Sequence, residues 1–379
     1  MEYQRLGDYI REVNVRNREL RVTNLVGLTI DKAFIPSVAN IIGTDLSNYK
    51  VIEKEQFVCS LMQVSRDGKI PVAMFEEDAA IMSPAYPMFE VIDKTVLLPR
   101  YLMMWFSRKE FDREASFYAV GGVRGSLTWE DFCNMRLPVP SIERQREIVE
   151  EYETLSRRIR LNEQMIEKLE ATAQALYRKM FVDGVDKENL PEGWRMGKLG
   201  DFGEVVTGKT PSTLDENNFG NYMPFVTIPD MHNGFFVIKT ERGLSKKGVA
   251  LQANKTIPKD SVCVSCIGTS GLVVINPQKC QTNQQINTIV PHNEYALEYI
   301  YLTCCRLEKI IAEYGMGAAV LNNLNKSEFE NLRVVVPLDF EMQKFHEKVL
   351  PVFSAIYLKQ KENLKLTELQ SLLLARMRK

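Results

Sequence analysis

A glycine-rich segment of the sequence has the spacing of a phosphate-binding loop. Residues 203–210 read Gly-Glu-Val-Val-Thr-Gly-Lys-Thr and fit the pattern GxxxxGK[ST]. That pattern binds phosphate only where it follows a buried strand and opens a helix whose amides face the ligand. The preceding residues 194–198 do not have the composition of a buried strand, and Pro211 disfavours a helical Thr210. We therefore expect a turn here, not a nucleotide site.

Two other clusters contain residue types that catalyse reactions or hold metals, and neither cluster is complete. Residues 83–86 (Ser-Pro-Ala-Tyr) resemble the Pro-Pro-Tyr motif of amino-methyltransferases, but the second proline and a glycine-rich cofactor loop after a strand are missing. Cys263 and Cys266 form a lone CxxC inside an apolar run, whereas a zinc site needs a second pair of ligands. The three histidines stand in no triad or metal-ligand spacing. We expect a rigid loop, two buried cysteines, and neither a catalytic centre nor a metal site.

What remains is a set of loops rich in side chains that contact nucleic acid. Arginine pairs with guanine edges, asparagine and glutamine pair with adenine, and serine, threonine and lysine bind phosphates. Such residues recur between apolar runs in both halves, although ordinary turns favour the same residue types. The predicted DNA contacts are Arg66, Lys69, Arg124, Lys209, Thr210, Asn221, Tyr222, Asn233, Thr269, Ser270, Gln284 and Gln285.

The bulk composition is typical of a globular protein of two or three domains. The 379 residues are 45% hydrophobic and 26% charged, no apolar run approaches the ~20 residues that span a bilayer, and the first residues lack a signal-peptide core. Seven cysteines without framework spacing favour a reduced, cytoplasmic protein. The net charge of −1 is unusual for a stand-alone DNA-binding protein. DNA binding would therefore need local basic patches, or partners that supply positive charge.

The elements that position these loops are duplicated along the chain. Residues 3–180 align with residues 196–378, and Leu-Gly-Asp occurs near the start of both segments. Residues 127–132 fall on residues 324–329 with a shift of 197, and one inserted residue later Gln145 matches Gln343. Ordered matches at a nearly constant offset indicate an internal repeat.

Each half combines a loop-rich part with a long helix. Short β-branched runs broken by glycine, proline and asparagine predict strands over the first part. A glycine-free segment of ~40 residues follows, and from Ile148 to Met180 its apolar residues recur at steps of three and four, as in a coiled coil. Asn162 interrupts this stripe, and Gln360 takes the equivalent position in the second helix. The two are either a register device or tolerated polar residues. Pro351 predicts a kink.

The sequence therefore predicts an α+β protein in which two pseudo-repeated mixed α/β domains are separated by two long helices packed as an antiparallel coiled coil. A helix of ~38 residues would be roughly 57 Å long and would set the spacing between two DNA-reading domains. The predicted segments are a first domain at 1–141, a first spacer helix at 142–181, a linker at 182–197, a second domain at 198–337 and a second spacer helix at 338–379.

This organisation resembles the specificity subunit of type I restriction-modification systems over nearly the whole chain. The resemblance rests on the two Leu-Gly-Asp openings and on Leu-Pro-Glu-Gly-Trp at 190–194. It also rests on the blocks that close each half at 140–145 and 337–343, and on Gly-Lys-Thr-Pro-Ser at 208–212, which is similar to the family's Gly-Gly-Thr-Pro-Ser. Residues 267–271 and 283–285 look like further family blocks. Phe345, Pro351 and an extra residue before each closing glutamine depart from the pattern.

The resemblance implies that each domain is a target-recognition domain that reads one half of a bipartite site in double-stranded DNA. It implies partners: two modification subunits that use S-adenosylmethionine to methylate adenine, and restriction subunits that use ATP and Mg to translocate and cut DNA. The chain itself would bind no cofactor and would be non-catalytic. Two alternatives remain from the residues alone. One is a two-domain scaffold whose coiled coil binds proteins without any DNA role, and the other is a stand-alone methyltransferase, which would lack its cofactor loop.

Overall fold

The computed structural model describes residues 2–37, 43–62, 64–120, 126–232, 234–315 and 324–377. Contacts divide the chain into two compact units, the first comprising Met1–Arg158 with Leu366–Lys379 and the second Ile159–Lys365. No helix in the described part of the chain is long and apolar enough to cross a membrane.

The strands and helices of the chain are short except for two helices. The strands are β1 Tyr3–Arg5, β2 Ile10–Val13, β3 Val26–Leu28, β4 Phe34–Pro36, β5 Lys50–Glu53, β6 Phe57–Cys59, β7 Val72–Met74, β8 Ala79–Met82, β9 Met88–Val91, β10 Arg136–Pro138, β11 Arg195–Lys198, β12 Gly203–Thr207, β13 Phe219–Val226, β14 Arg242–Leu244, β15 Ser261–Ser265, β16 Val273–Asn276, β17 Gln281–Thr282, β18 Ile286–Pro291 and β19 Arg333–Val336. The helices are α1 Val64–Asp67, α2 Pro99–Phe106, α3 Lys109–Val120, α4 Trp129–Asn134, α5 Ile142–Phe181, α6 Ile228–Met231, α7 Lys246–Ala250, α8 Leu297–Arg306, α9 Glu308–Gly315, α10 Lys326–Glu330 and α11 Asp339–Arg376.

The first unit is organised around a four-stranded antiparallel sheet in the order β2-β9-β6-β7. Its strands bury apolar side chains, and the rings of Phe57 and Phe89 stack with their centroids 5.1 Å apart. Helices α2 to α4 cover this sheet through Phe106 and Phe132, which are fully buried. Burial of aromatic area on this scale is the main force that holds such small elements together. Three two-stranded sheets, β1-β10, β3-β4 and β5-β8, complete the unit.

The second unit repeats this plan. Its main sheet has the order β12-β18-β15-β16. These strands correspond in turn to β2, β9, β6 and β7 of the first unit. The pair β11-β19 corresponds to β1-β10, and the Leu-Gly-Asp segments form a 3-10 turn after β1 and after β11. A capping box opens α4 at Thr128 and opens α10 at Asn325. The duplication predicted from the sequence is therefore confirmed, and the second unit adds a three-stranded sheet, β14-β13-β17.

Both units contain parts of α5 and α11, the two long helices of the predicted fold. In the first unit, Gln370 donates a hydrogen bond to the hydroxyl of Ser156 at 2.7 Å. In the second unit, Asn162 donates to the side-chain oxygen of Asn363 at 2.8 Å, and further along α5 Tyr177 packs against Phe345. Residue numbers fall along α11 as they rise along α5, so the helices pack antiparallel.

In the structure, the residues that the repeat matched between the two long helices have different surroundings. Asn162 bonds to Asn363, whereas the side-chain oxygen of Gln360 accepts the backbone N–H of Phe236 at 3.0 Å. Gln145 is fully buried, and the residue 197 positions later, Met342, is also buried, whereas Gln343 is exposed. Burial therefore favours Met342 as the structural counterpart of Gln145, although residue type had matched Gln145 to Gln343. Helix α11 continues through Pro351.

Candidate nucleic-acid interface

Three loops of the second unit meet at one edge of its main sheet. Strand β12 ends at Thr207, opposite Asn287 of β18, and β15 ends at Ser265, opposite Ile286. The loops 208–215, 266–272 and 283–285 therefore leave or enter the sheet at the same edge, called here the loop edge. Half of the predicted DNA contacts lie on it: Lys209, Thr210, Thr269, Ser270, Gln284 and Gln285.

The first of these loops is fixed to the third by hydrogen bonds. Gly208 donates its N–H to Ile286 O at 3.1 Å, and Lys209 donates its N–H to Thr282 O at 2.9 Å. A Cβ at Gly208 would overlap the carbonyl oxygens of Thr282 and Asn283, so only glycine allows this approach. No helix follows Thr210 directly: residues 208–212 are irregular, and a turn follows at 213–214.

Side chains complete the loop edge. Thr210 donates its hydroxyl proton to Gln284 Oε1 at 2.5 Å; Gln284 is exposed and Thr210 is half-buried. Gln285 Oε1 accepts from Asn283 Nδ2 at 2.9 Å, and its backbone carbonyl accepts the N–H of Cys266 at 2.8 Å. Gln285 therefore joins the second and third loops and is partly buried, whereas Gln284 is exposed with its Oε1 bonded to Thr210.

Buried amides beneath the loop edge support it, and sequence reasoning could not distinguish them from surface residues. Gln252 is 3% exposed, and its Nε2 donates to Lys209 O at 2.7 Å and to Gln281 Oε1 at 2.9 Å. Gln281 is fully buried and donates to Thr256 at 2.9 Å. Because an unpaired buried amide costs about 1–3 kcal/mol, this chain of bonds holds the loop in one arrangement.

Asn221 and Tyr222 form a different patch on β13. Tyr222 is 57% exposed, and the Lys246 ammonium lies 5.5 Å from the centroid of its ring. The Arg242 guanidinium lies 4.1 Å from the ring centroid of Phe219 on the same strand. Sequence reasoning missed both cations, although alternation of basic and aromatic residues is a common feature of nucleic-acid surfaces. Asn233 lies outside the described residues.

At the equivalent edge of the first unit, fewer of the predicted DNA contacts lie within the described residues. Lys69 lies between β6 and β7, as loop 266–272 lies between β15 and β16, and its ammonium pairs with Asp31 at 2.9 Å. Arg66 is in α1, but its side chain and the whole of Arg124 lie outside the described residues. The segment 83–86 is a loop in which the carbonyl of Tyr86 accepts a hydrogen bond from Lys50 at 2.9 Å.

The cysteines of the CxxC segment and the pair formed by His346 and Glu298 are surrounded by the core or by each other. Cys263 and Cys266 are buried as predicted, and burial raises the pKa of each thiol to about 11. Within the described ranges, no three histidine, cysteine, aspartate or glutamate side chains are grouped to hold a metal ion. His346 Nδ1 lies 2.7 Å from the buried carboxylate of Glu298. Burial raises the pKa of Glu298, and the adjacent His346 opposes that rise.

Known proteins match this chain over most of its length. The profile described as "Type I restriction modification DNA specificity domain" matches residues 37–171 and 191–368. The HindI specificity subunit of Haemophilus influenzae is 27% identical over 98% of this chain and 97% of its own length. The MjaIX specificity subunit of Methanocaldococcus jannaschii is 27% identical over 47% of this chain and 42% of its own. The crystal structure of a type I system S subunit from M. genitalium covers 99% of this chain and 95% of its own with a TM-score of 0.61 and 12% identity, which indicates the same fold.

Proposed function

Because the chain belongs to the family of type I restriction-modification DNA specificity domains, we propose that it recognises a bipartite sequence in double-stranded DNA. It directs the modification and restriction subunits of the complex to that sequence and is itself non-catalytic. The observation that carries the proposal is the duplicated sheet with loops at equivalent edges. Two copies of one plan with different loop residues suit a target with two different halves.

The side chains of the loop edge suit DNA recognition by hydrogen bonds. Gln284 is exposed and has the donor and acceptor that read the N6 and N7 edge of adenine in the major groove. Lys209 is exposed beside it and supplies a positive charge for a phosphate. Backbone hydrogen bonds fix both ends of the loop 208–215, so this loop loses little conformational freedom when DNA binds. Arg66, Lys69, Arg124, Asn233 and the other predicted contacts remain proposals of the same kind.

The partner subunits are expected to contact the long helices. In the first unit, α5 and α11 form a groove of about 560 Å³. Its apolar lining includes Leu369 and Leu372, which are 48% and 58% exposed, and Glu147, Glu150 and Glu151 line its α5 side. We propose that an apolar helix with basic flanks from a modification subunit occupies this groove. Two such subunits would bind S-adenosylmethionine and methylate adenine, and restriction subunits would use ATP and Mg.

These partners also account for the balanced charge of the chain. A net charge of −1 provides little general attraction for DNA phosphates. Subunits that enclose the DNA would supply the missing positive charge. The seven cysteines, all free, suit the cytoplasm in which such a complex would act.

The test of this function is genome-wide mapping of methylated adenine. The chain is expressed with the modification subunit encoded beside it, in a host without other methylation. We expect one two-part motif with a fixed gap, which disappears when the chain is omitted. Random or absent methylation from an intact complex would instead indicate a scaffold without a DNA role.

A loop exchange tests the assignment of one half-site to one unit. The loops 208–215, 266–272 and 283–285 are replaced together by those of a relative, and the methylated motif is mapped again. We expect a change in one half of the motif and an unchanged second half. A change in both halves would contradict the assignment.

A further inference from the structure

An apolar side chain projects from the loop edge of the second unit. Leu214 is 96% exposed, more than any other large hydrophobic residue among those described. It lies in the loop 208–215, just before the 3-10 turn Glu216–Asn218. Single exposed leucines are ordinary on protein surfaces, so exposure alone assigns no role. Leu214 shares its loop with Lys209 and Thr210, which are predicted DNA contacts, and this makes its exposure informative.

The backbone on both sides of Leu214 is held in place by other residues. Before it, Ser212 O accepts a hydrogen bond from Asn218 Nδ2 at 3.0 Å, and Asn218 is only 2% exposed. After it, the Asp215 carboxylate accepts from the N–H of Asn217 at 3.1 Å and pairs with Lys247 at 2.6 Å. The leucine is therefore presented at a fixed point although its own side chain contributes no packing. A backbone segment already fixed in this way loses little freedom on binding a ligand.

The neighbours of Leu214 define what it would meet. Four residues earlier, Thr210 holds the side-chain oxygen of Gln284 and so orients that amide. A glutamine amide is suited to the N6 and N7 edge of adenine in the major groove, and every A·T pair also presents the 5-methyl group of thymine in that groove. An apolar side chain in the loop that orients an adenine-reading glutamine is therefore suited to the methyl group of a nearby base pair.

We propose that Leu214 contacts the 5-methyl group of a thymine in the half-site read by the second unit. The inference rests on the proposed function, since it requires DNA at the loop edge. Leucine offers apolar surface and no hydrogen-bonding group, so the contact discriminates by the methyl group alone. The other known use of leucine on DNA is as a wedge that unstacks neighbouring base pairs, and the experiment separates the two.

The experiment uses the complex of the full chain with its modification subunit and a DNA duplex that contains the mapped motif. Each thymine of the motif is replaced singly by deoxyuridine, which removes only the methyl group. For the wild-type complex we expect one replacement, in one half-site, to weaken binding about fourfold, as for the burial of one methyl group. In the Leu214→Ala complex the same replacement should have no effect. Leu251→Ala is the control, because Leu251 is also exposed in this unit, at 60%, and should leave the sensitivity unchanged.

The other outcomes overturn the proposal. It fails if no replacement weakens binding, or if the Leu214→Ala complex is as sensitive to deoxyuridine as the wild type. If Leu214 acted as a wedge, deoxyuridine would not weaken binding. Instead, the fluorescence of 2-aminopurine placed beside one base step would rise with the wild-type complex and would not rise with the Leu214→Ala complex. Failure of the proposed function is distinguishable, because the wild-type complex would then methylate no bipartite motif, and the assignment of Leu214 would fail with it.

Discussion

Replacement of Gly208 by alanine tests whether the loop edge is a rigid recognition surface. The new Cβ would overlap the carbonyl oxygens of Thr282 and Asn283, and backbone atoms cannot turn aside as a flexible side chain can. Relief of the overlap requires the loop 208–215 to move away from its neighbours. We therefore expect Gly208→Ala to preserve the fold of the second unit and to impair its recognition of DNA.

The size of the effect follows from the bonds that the movement breaks. These are the bonds from Gly208 to Ile286 at 3.1 Å, from Lys209 to Thr282 at 2.9 Å and from Gln252 to Lys209 at 2.7 Å. At about 1 kcal/mol for each bond, the arrangement seen here is destabilised by about 3 kcal/mol. If DNA binds only this arrangement, affinity for the specific site falls about 100-fold.

The assay is the binding of the methyltransferase complex to a fluorescent duplex at fixed salt, with the methylated motif mapped in parallel. Gly200→Ala is the matched control, since a Cβ there would meet its nearest neighbours at an ordinary 3.5 Å. Its affinity should stay within about twofold of the wild type. A Gly208→Ala complex with wild-type affinity and an unchanged motif would refute the view that this loop reads DNA in its present conformation.

Three further predictions follow from single side chains. Lys209→Ala should weaken binding to all DNA sequences alike and lower the slope of log Kd against log salt by about 0.9, measured by anisotropy at several salt concentrations, and a sequence-dependent loss would contradict a phosphate contact. Gln145→Met should lower the free energy of unfolding by about 3 kcal/mol in urea titrations because three buried bonds to backbone groups are lost, whereas the exposed Gln343→Met should change it by less than about 0.5, and equal midpoints would count against this reasoning. The raised pKa of Glu298, caused by burial and opposed by His346, means that the native state binds that proton more tightly than the unfolded chain. The wild type should therefore lose stability relative to Glu298→Gln as pH rises through and above the ordinary glutamate range, and a constant difference between the two from about pH 4 to about 8 would disprove it.

The repeat and the long helices could be predicted from sequence because both depend on local or periodic signals. The Leu-Gly-Asp turn, the capping residues at Thr128 and Asn325, and the apolar stripe of α5 each have a physical reason that is visible in a short window. The partner of Asn162 was not predictable in this way. The repeat identified Gln360 as the equivalent of Asn162, whereas the packing of the helices in the second unit places Asn363 opposite Asn162.

Residues of the loop edge were predicted by type, and the structure shows why type alone is insufficient. Gln284 and Gln285 are neighbours of the same kind, yet one is exposed and the other joins two loops. Gln252 and Gln281 were not considered, because a buried amide and a surface amide look alike in a sequence. Leu214 was missed for the opposite reason, since an apolar residue is expected inside. Which of them meets a ligand depends on the arrangement of three loops that are distant along the chain.

The assignment of Leu366–Lys379 to the first unit has a consequence for biosynthesis. Met377 is 2% exposed in the same core as Leu6 and Ile148, so the unit that leaves the ribosome first lacks part of its core until Met377 has been translated. At about 5–20 residues per second, roughly ten to fifty seconds separate the synthesis of Ile148 from that of Met377. During this interval the apolar face at the start of α5 lacks the cover that Leu374 and Met377 provide. We expect the nascent chain to bind chaperones during this interval, and removal of residues 366–377 to damage the unit that is synthesised first.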